Sequence, residues 1–511
     1  MAHPLRSPSL LREYLESWTR VLQLFAHRKS PGEDGESLLG REKRESETNV
    51  REAWRTVRHF RVRRYIAFVG TTVSVLLLLT LAFSKRAAIH PQETLDQNVQ
   101  ALHILIPSPD LGRELCKTAL SAEVLQYSPP TLIQWDPIGK DAHSNMQCRM
   151  TAVRNHLEVI AKHHENDTVI LMDSISTWFQ LRPEVLLKRY YDINRAADKR
   201  LASYMEEKTA AQQGIKQSIV FPASWNCGAK SFADRGCHTI PASPLFRPAD
   251  HMNAPRYLAQ GVVIGPAKDM YELYRRAVAI VERSQDFKHE LQVFTDIFGQ
   301  QEYQRSLLRR KPQSWMERFG GLFFRENEET QEPSDNPDEF SIGLDYAGEL
   351  SLSTEAGPDT FTWSKHSRLP VDITSSMPPF WTPSGQELPS STTWTDLNLL
   401  TNAHTQSVPA MIQHNAKVSH KLLMKHWENL WLRRHSRQLL DASMQFPTMP
   451  LTVLRDTNDV DQVFWSTSLE DKAGVKVAGG PWLGWDRLCP GEDLAREIFG
   501  DEVGEWKNPV L

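Results

Sequence analysis

Residues 168–176 read Thr168-Val169-Ile170-Leu171-Met172-Asp173-Ser174-Ile175-Ser176, an apolar run closed by a carboxylate. A run this short, with β-branched residues at its centre, predicts a buried strand rather than a helix. Three more such runs lie along the chain: Leu102-His103-Ile104-Leu105-Ile106-Pro107, Ser218-Ile219-Val220-Phe221-Pro222 and Gly261-Val262-Val263-Ile264-Gly265. Between them the apolar residues recur at helical spacing over 149–163, 183–208 and 267–284. Strands alternating with helices of this length predict an α/β fold, a Rossmann-like, open, mainly parallel sheet covered on both faces. Ligands of such sheets sit outside the carboxyl ends of the strands, which singles out Asp173.

Outward from this core the pattern weakens. Residues 325–340 are acidic and 351–400 are rich in Ser, Thr and Pro, so both read as long surface excursions. Helical character returns at 417–443, with Trp427 and Trp431 as core packing, and 446–511 reads as an extension of unknown role. The folded part is expected to run from 101 to 445, which the 511 residues accommodate easily. A net charge of −4 argues against a nucleic-acid binder. The 15 Trp, 11 Tyr and 20 Phe argue against disorder throughout, because aromatic rings favour burial.

A mean hydropathy of −0.46 excludes a polytopic membrane protein but allows one span. Tyr65 to Phe83 supplies it: 19 residues without a charge, against the ~20 needed to cross the hydrocarbon core. The preceding residues 51–64 hold six arginines and one acid, so the positive-inside rule places the N-terminus in the cytosol. The expected order is a basic, partly disordered tail over 1–64, a transmembrane helix over 65–84, a stem over 85–100 and a translocated C-terminal part. The tail carries 14 Lys and Arg against 9 Asp and Glu, which suits an anionic leaflet. Within it, Leu11, Leu15, Trp18, Leu22 and Phe25 share one helical face, for the membrane or a partner.

Cys116, Cys148, Cys227, Cys237 and Cys489 all fall on the translocated side, where disulfides persist. Cys227 and Cys237 are close enough to close a loop, and an odd total leaves at least one thiol free or paired between chains. Asn166-Asp167-Thr168 is a glycosylation sequon that abuts the apolar run, which leaves its use open.

A carboxylate directly after an apolar strand suits a hard divalent cation that bridges the phosphates of a nucleotide-sugar. A helix N-cap or turn role is the plainer alternative. The segment Asp173-Ser174-Ile175-Ser176-Thr177-Trp178-Phe179, followed by Pro183 and the Leu-rich basic stretch to Tyr190, resembles the glycosyltransferase domain of the procollagen lysyl hydroxylases. Further likenesses follow in the same order over residues 102–430: Val220-Phe221-Pro222-Ala223 with Cys227, Arg256 to Gly265, Gln292 to Thr295, Leu344-Asp345, and His414-Asn415 with Lys421-Leu422-Leu423. No hydroxylase-type iron motif follows.

The resemblance implies a GT-A fold in a type II Golgi or ER membrane protein that transfers a hexose from a UDP-sugar to a protein or glycan hydroxyl. It implies Mn²⁺ or Mg²⁺ held by Asp173 and His414. Arg149 and Lys421 would pair with donor phosphate, and Gly261 and Ser176 would lie against the donor. Glu290 and Asp345 are the candidate catalytic carboxylates. The chain departs from the family at three places: Ser176 stands for the second metal-binding Asp, Ala259 for an Asn, and Glu290-Leu291-Gln292 for an acidic pair. Losing a carboxylate weakens a divalent site. The alternative is therefore a lumenal binding or scaffold protein of the same fold without turnover.

Overall fold

A computed structural model of the chain describes residues 99–109, 111–135, 141–172, 176–205, 214–229, 234–245, 254–309, 338–354, 358–382, 391–414, 418–445, 451–455, 461–466, 474–501, 503–504 and 506. The chain divides into two units, 1–92 and 93–511, and every described residue belongs to the second. The amphipathic stretch, the transmembrane segment and most of the stem therefore lie outside the described residues. Among the described residues, no helix is long and apolar enough to cross a membrane.

In chain order the unit runs β1 (Val99–Pro107), α1 (Arg113–Val124), β2 (Thr131–Ile133), α2 (Ala142–His163), β3 (Thr168–Met172), β4 (Thr177–Phe179) and α3 (Pro183–Tyr204). It continues with β5 (Ile219–Ser224), β6 (Tyr257–Leu258), β7 (Val262–Pro266), α4 (Ala267–Arg283), α5 (Glu290–Arg309), β8 (Ile342–Asp345), β9 (Ser351–Ser353), β10 (Phe361–Ser364), β11 (Leu399–Asn402) and β12 (Met411–Gln413). It closes with α6 (His420–Asn429), α7 (Ser436–Gln445), β13 (Thr452–Arg455), β14 (Asp461–Ser466), β15 (Gly474–Val477), β16 (Trp482–Gly484) and α8 (Glu492–Phe499).

The central sheet has the order β16-β15-β2-β1-β3-β7-β5, with β6 and β8 on β5 and the β13–β14 pair on β1. The sheet is largely parallel: β15, β2, β1, β14, β3, β5 and β8 share one direction. The strand expected at 261–265 departs from this direction, since β7 runs antiparallel to both β3 and β5, and the edge strands β6, β13 and β16 are antiparallel to their partners too. β3 is buried along its whole length, as a strand covered on both faces must be. Its alternate residues serve two cores: Ile170 and Met172 pack with α1, α3 and the C-terminal helices, whereas Val169 and Leu171 pack with α2, α4 and α5. In α4 the buried Met270, Leu273, Tyr274, Ala277, Val278 and Val281 form one apolar stripe, which is why this helix was legible in the sequence.

Two expectations need correction. Residues 351–400 are not a surface excursion: Leu369, Ile373, Phe380, Trp394, Leu397, Leu399 and Leu400 are buried in the first core. Two buried arginines of the α3 region hold this Pro-rich segment. Arg182 donates to the carbonyls of Pro378, Pro379 and Trp381, and Arg189 reaches Asp372 and the Val408 carbonyl. A guanidinium fork satisfies several carbonyls at once, so a segment poor in regular hydrogen bonds becomes ordered. Residues after 446 likewise share the main sheet. Val463↔Val99 and Phe464↔Gln100 pair β14 with β1, and Lys476↔Thr131 pairs β15 with β2. The helix expected over 417–443 is two helices, α6 and α7, joined by a 3₁₀ turn at Arg433–His435.

Disulfides join Cys116 to Cys489 and Cys227 to Cys237, and Cys148 is the free thiol.

Candidate functional site

Several sheet ends gather at one edge. β3 finishes at Met172, paired with Val262 at the start of β7, and Pro222 of β5 pairs with Asp345 at the end of β8. A small sheet, β4-β12-β9, borders this edge. There the His414 amide donates to the Ser176 carbonyl at 2.9 Å, directly beyond the Gln413↔Thr177 pair. Gly261 joins the two sheets. Its φ of +155° is a region that side chains rarely adopt, and a Cβ there would clash with Gln413 Oε1 and lie 3.1 Å from Pro222 Cγ. Of the residues expected at the site, Ser176, Gly261 and His414 are thus brought together through the backbone. Asp173, which follows β3, lies outside the described residues.

Arg149 on α2, Gly261 and Glu290 at the start of α5 line one narrow cleft, floored by Leu171, Phe221 and Phe294. Arg149 Nη1 sits 2.7 Å from Glu290 Oε1, both side chains mostly buried. A guanidinium held at the carboxyl edge of a parallel sheet is a ready partner for a diphosphate. The described residues leave only about 20 Å³ inside the cleft, space for about one water.

Successive residues of a strand face opposite ways, and Gln413 turns toward Gly261 while His414 turns toward Trp178. The His414 imidazole is fully buried, with its ring centroid 4.2 Å from that of Trp178. Its Nδ1 lies 2.9 Å from Thr354 Oγ1 and 3.4 Å from His426 Nδ1. Burial first, then the charges of His426 and Lys117, push its pKa down to about 3, so the ring is neutral at physiological pH. A neutral imidazole is the form that binds metal. Such a nitrogen suits Mn²⁺ better than Mg²⁺, which prefers oxygen ligands.

These imidazoles are expected to make the fold acid-labile. His414, His156 (pushed down to about 4, mainly by burial) and the buried His426 all take up protons more readily in the unfolded chain, near pH 6.5. The stability they carry is present above pH 6.5 and is lost as the pH falls toward the folded values. A group like His414 gives up roughly 2 kcal/mol by pH 5. Thermal melts from pH 7.5 to 5 are expected to show a falling midpoint, with a shallower fall for His414→Phe. Equal slopes for the two proteins would rule His414 out as a source.

Two expected residues do not line the cleft. Asp345 is buried, and its carboxylate accepts from the amides of Glu349 and Leu350, closing the turn after β8. Its carboxyl pKa is raised by burial and pulled back by those amides. Lys421 is exposed on α6 and does not line the cleft. Trp178 is fully buried in the first core.

Lys117 was missed by the sequence reading. It is fully buried on α1, donating to Glu114 Oε1 at 2.9 Å and to Met424 Sδ at 3.3 Å. Its ammonium is 5.8 Å from the Trp178 ring, which packs at a tilt against His414. Gln413 was also missed: its buried Oε1 has no hydrogen-bond partner among the described residues. Neither lies in a motif: Lys117 sits on a helix of ordinary pattern, and the strand that carries Gln413 is only three residues long. No known family model matches the chain, and no curated protein matches it.

Proposed function

We propose that the chain is a type II membrane protein with a lumenal GT-A domain that transfers a hexose from a UDP-sugar to a protein or glycan hydroxyl. The observation that carries this reading is the convergence of Arg149, Gly261 and Glu290, far apart in sequence, on one cleft at the carboxyl edge of a largely parallel sheet. Ser176 and His414 border the same edge. The two disulfides support an oxidising, lumenal setting.

In this reading Arg149 leaves Glu290 to pair with the donor diphosphate. Glu290, released, orients the acceptor hydroxyl and takes its proton. Gly261 lets the backbone approach the donor closely. Asp173 and His414 would hold a divalent ion, with the Ser176 hydroxyl where a second carboxylate would be stronger. When bound, such an ion supplies positive charge to the departing nucleoside diphosphate.

The tight cleft and the closed Arg149–Glu290 pair favour a second reading, a binding or scaffold protein of the same fold without turnover. Release of UDP from a panel of UDP-sugars, measured with Mn²⁺ for wild type and Ser176→Asp, separates the two. The transferase reading predicts Mn²⁺-dependent release that rises in Ser176→Asp, because a second carboxylate tightens the metal site. Release from neither protein would favour the scaffold.

A further inference from the structure

Asn166-Asp167-Thr168 is the sole N-x-S/T triplet in the chain, and the structure presents its asparagine as a modification site. Asn166 is exposed in the two-residue turn between α2 and β3. Its neighbours are tied down. The Glu165 carbonyl accepts from the Lys268 amide, and its side chain pairs with Lys268 at 2.9 Å. Asp167 turns inward, one carboxylate oxygen accepting from the Ala101 amide and the other 2.8 Å from His103 Nε2. Asn166 itself makes no hydrogen bond among the described residues, so its amide stands unengaged at the rim of a groove of about 1010 Å³.

We infer that Asn166 carries an N-linked glycan. The reaction takes a polyprenyl-diphosphate-linked oligosaccharide as co-reactant. The Asn166 Nδ2–C1 bond forms, the bond from C1 to the diphosphate oxygen breaks, and the polyprenyl diphosphate leaves while the amide gives up one proton. Thr168, whose hydroxyl assists such a transfer, is buried at the first position of β3 in the folded chain. The transfer therefore precedes docking of β3 and accompanies synthesis. Once folded, the glycan fits outside the core: the groove gives it room, and β3 separates it from the candidate site by its full length, about 16 Å.

The inference rests on the lumenal placement of this unit, so the experiment reads both. The full chain, tagged at its C-terminus and synthesised with sealed microsomes, is treated with protease and, separately, with peptide-N-glycosidase. The expected result is a protected tag, a mobility shift removed by the glycosidase, and no shift for Asn166→Gln. A protected tag on an unshifted wild-type chain would overturn the glycan inference and leave the lumenal placement standing. A digested tag would overturn both. A shift that persists in Asn166→Gln would also overturn the assignment.

Discussion

Replacing Cys116 and Cys489 together by alanine is expected to cost the fold about 2–5 kcal/mol, the range seen when a native disulfide is removed. The bridge spans 373 residues of sequence and closes nearly the whole described unit into one loop. In the chain-entropy account, the benefit grows with the logarithm of loop length, so this bridge outweighs Cys227–Cys237, whose separation is 10. Its placement adds to the effect. Cys116 lies on α1, and Cys489 follows the β15–β16 strands that extend the sheet from β2. Both cysteines are buried against the first core. Thermal melts of the paired variants are the measurement: the Cys116/Cys489 variant should melt far lower than the Cys227/Cys237 variant. Equal midpoints would mean that the C-terminal strands are held by packing alone.

The second large effect lies under His414. Lys117→Met removes a buried cation and leaves the Glu114 carboxylate without its partner, a change expected to cost about 3 kcal/mol or more. One Glu114 oxygen is already buried without a hydrogen-bond partner, so little remains to stabilise the charge. The double variant Lys117→Met with Glu114→Gln exchanges the ion pair for a neutral arrangement and should regain most of that loss. The single variant should also ease protonation of His414, because the Lys117 charge is one of the causes that hold its pKa down. Its melting temperature would then fall less steeply with acid than that of wild type. A double variant as unstable as the single one would show that the cost is lost packing around Trp178 and Met424 rather than an orphaned charge.

The parts of this fold that can be read from sequence are those whose burial is written locally. β3 is found at 168–172 because a strand covered on both faces is apolar throughout. α2, α3 and α4 are found because each shows one apolar stripe, with Pro183 opening α3 where its missing amide costs nothing. The strands β4, β9 and β12 are three residues each and carry too few positions for periodicity to show. They are stabilised by partners up to 236 residues away, as in the pairing of Gln413 with Thr177, and only that pairing sets His414 beside Ser176. Residues 351–400 look like a surface excursion because their order comes from Arg182 and Arg189, outside the segment itself. The reversal of β7 is likewise invisible, since the apolar run Val262 to Ile264 reads the same in either direction.

Among the candidate site residues, Arg149, Gly261 and Glu290 were named on a resemblance and meet in one cleft. Asp345 and Lys421 were named on the same grounds and do not join them. A carboxylate at a strand end looks the same whether it faces a ligand or closes a turn, and in the structure Asp345 accepts from the Glu349 and Leu350 amides. Lys117 has no sequence signal at all. It sits on α1 among residues of ordinary helical pattern, and its burial follows from the packing of α6, through Met424, and of β4, through Trp178.

The most direct test of the cleft as a nucleoside-diphosphate site is titration calorimetry of UDP into the full chain, with and without Mn²⁺, alongside Arg149→Ala and Asp173→Ala. The account predicts binding that requires Mn²⁺, weakens about tenfold or more in Arg149→Ala, and disappears in Asp173→Ala. Absence of UDP binding in both conditions, with the protein folded, would contradict it.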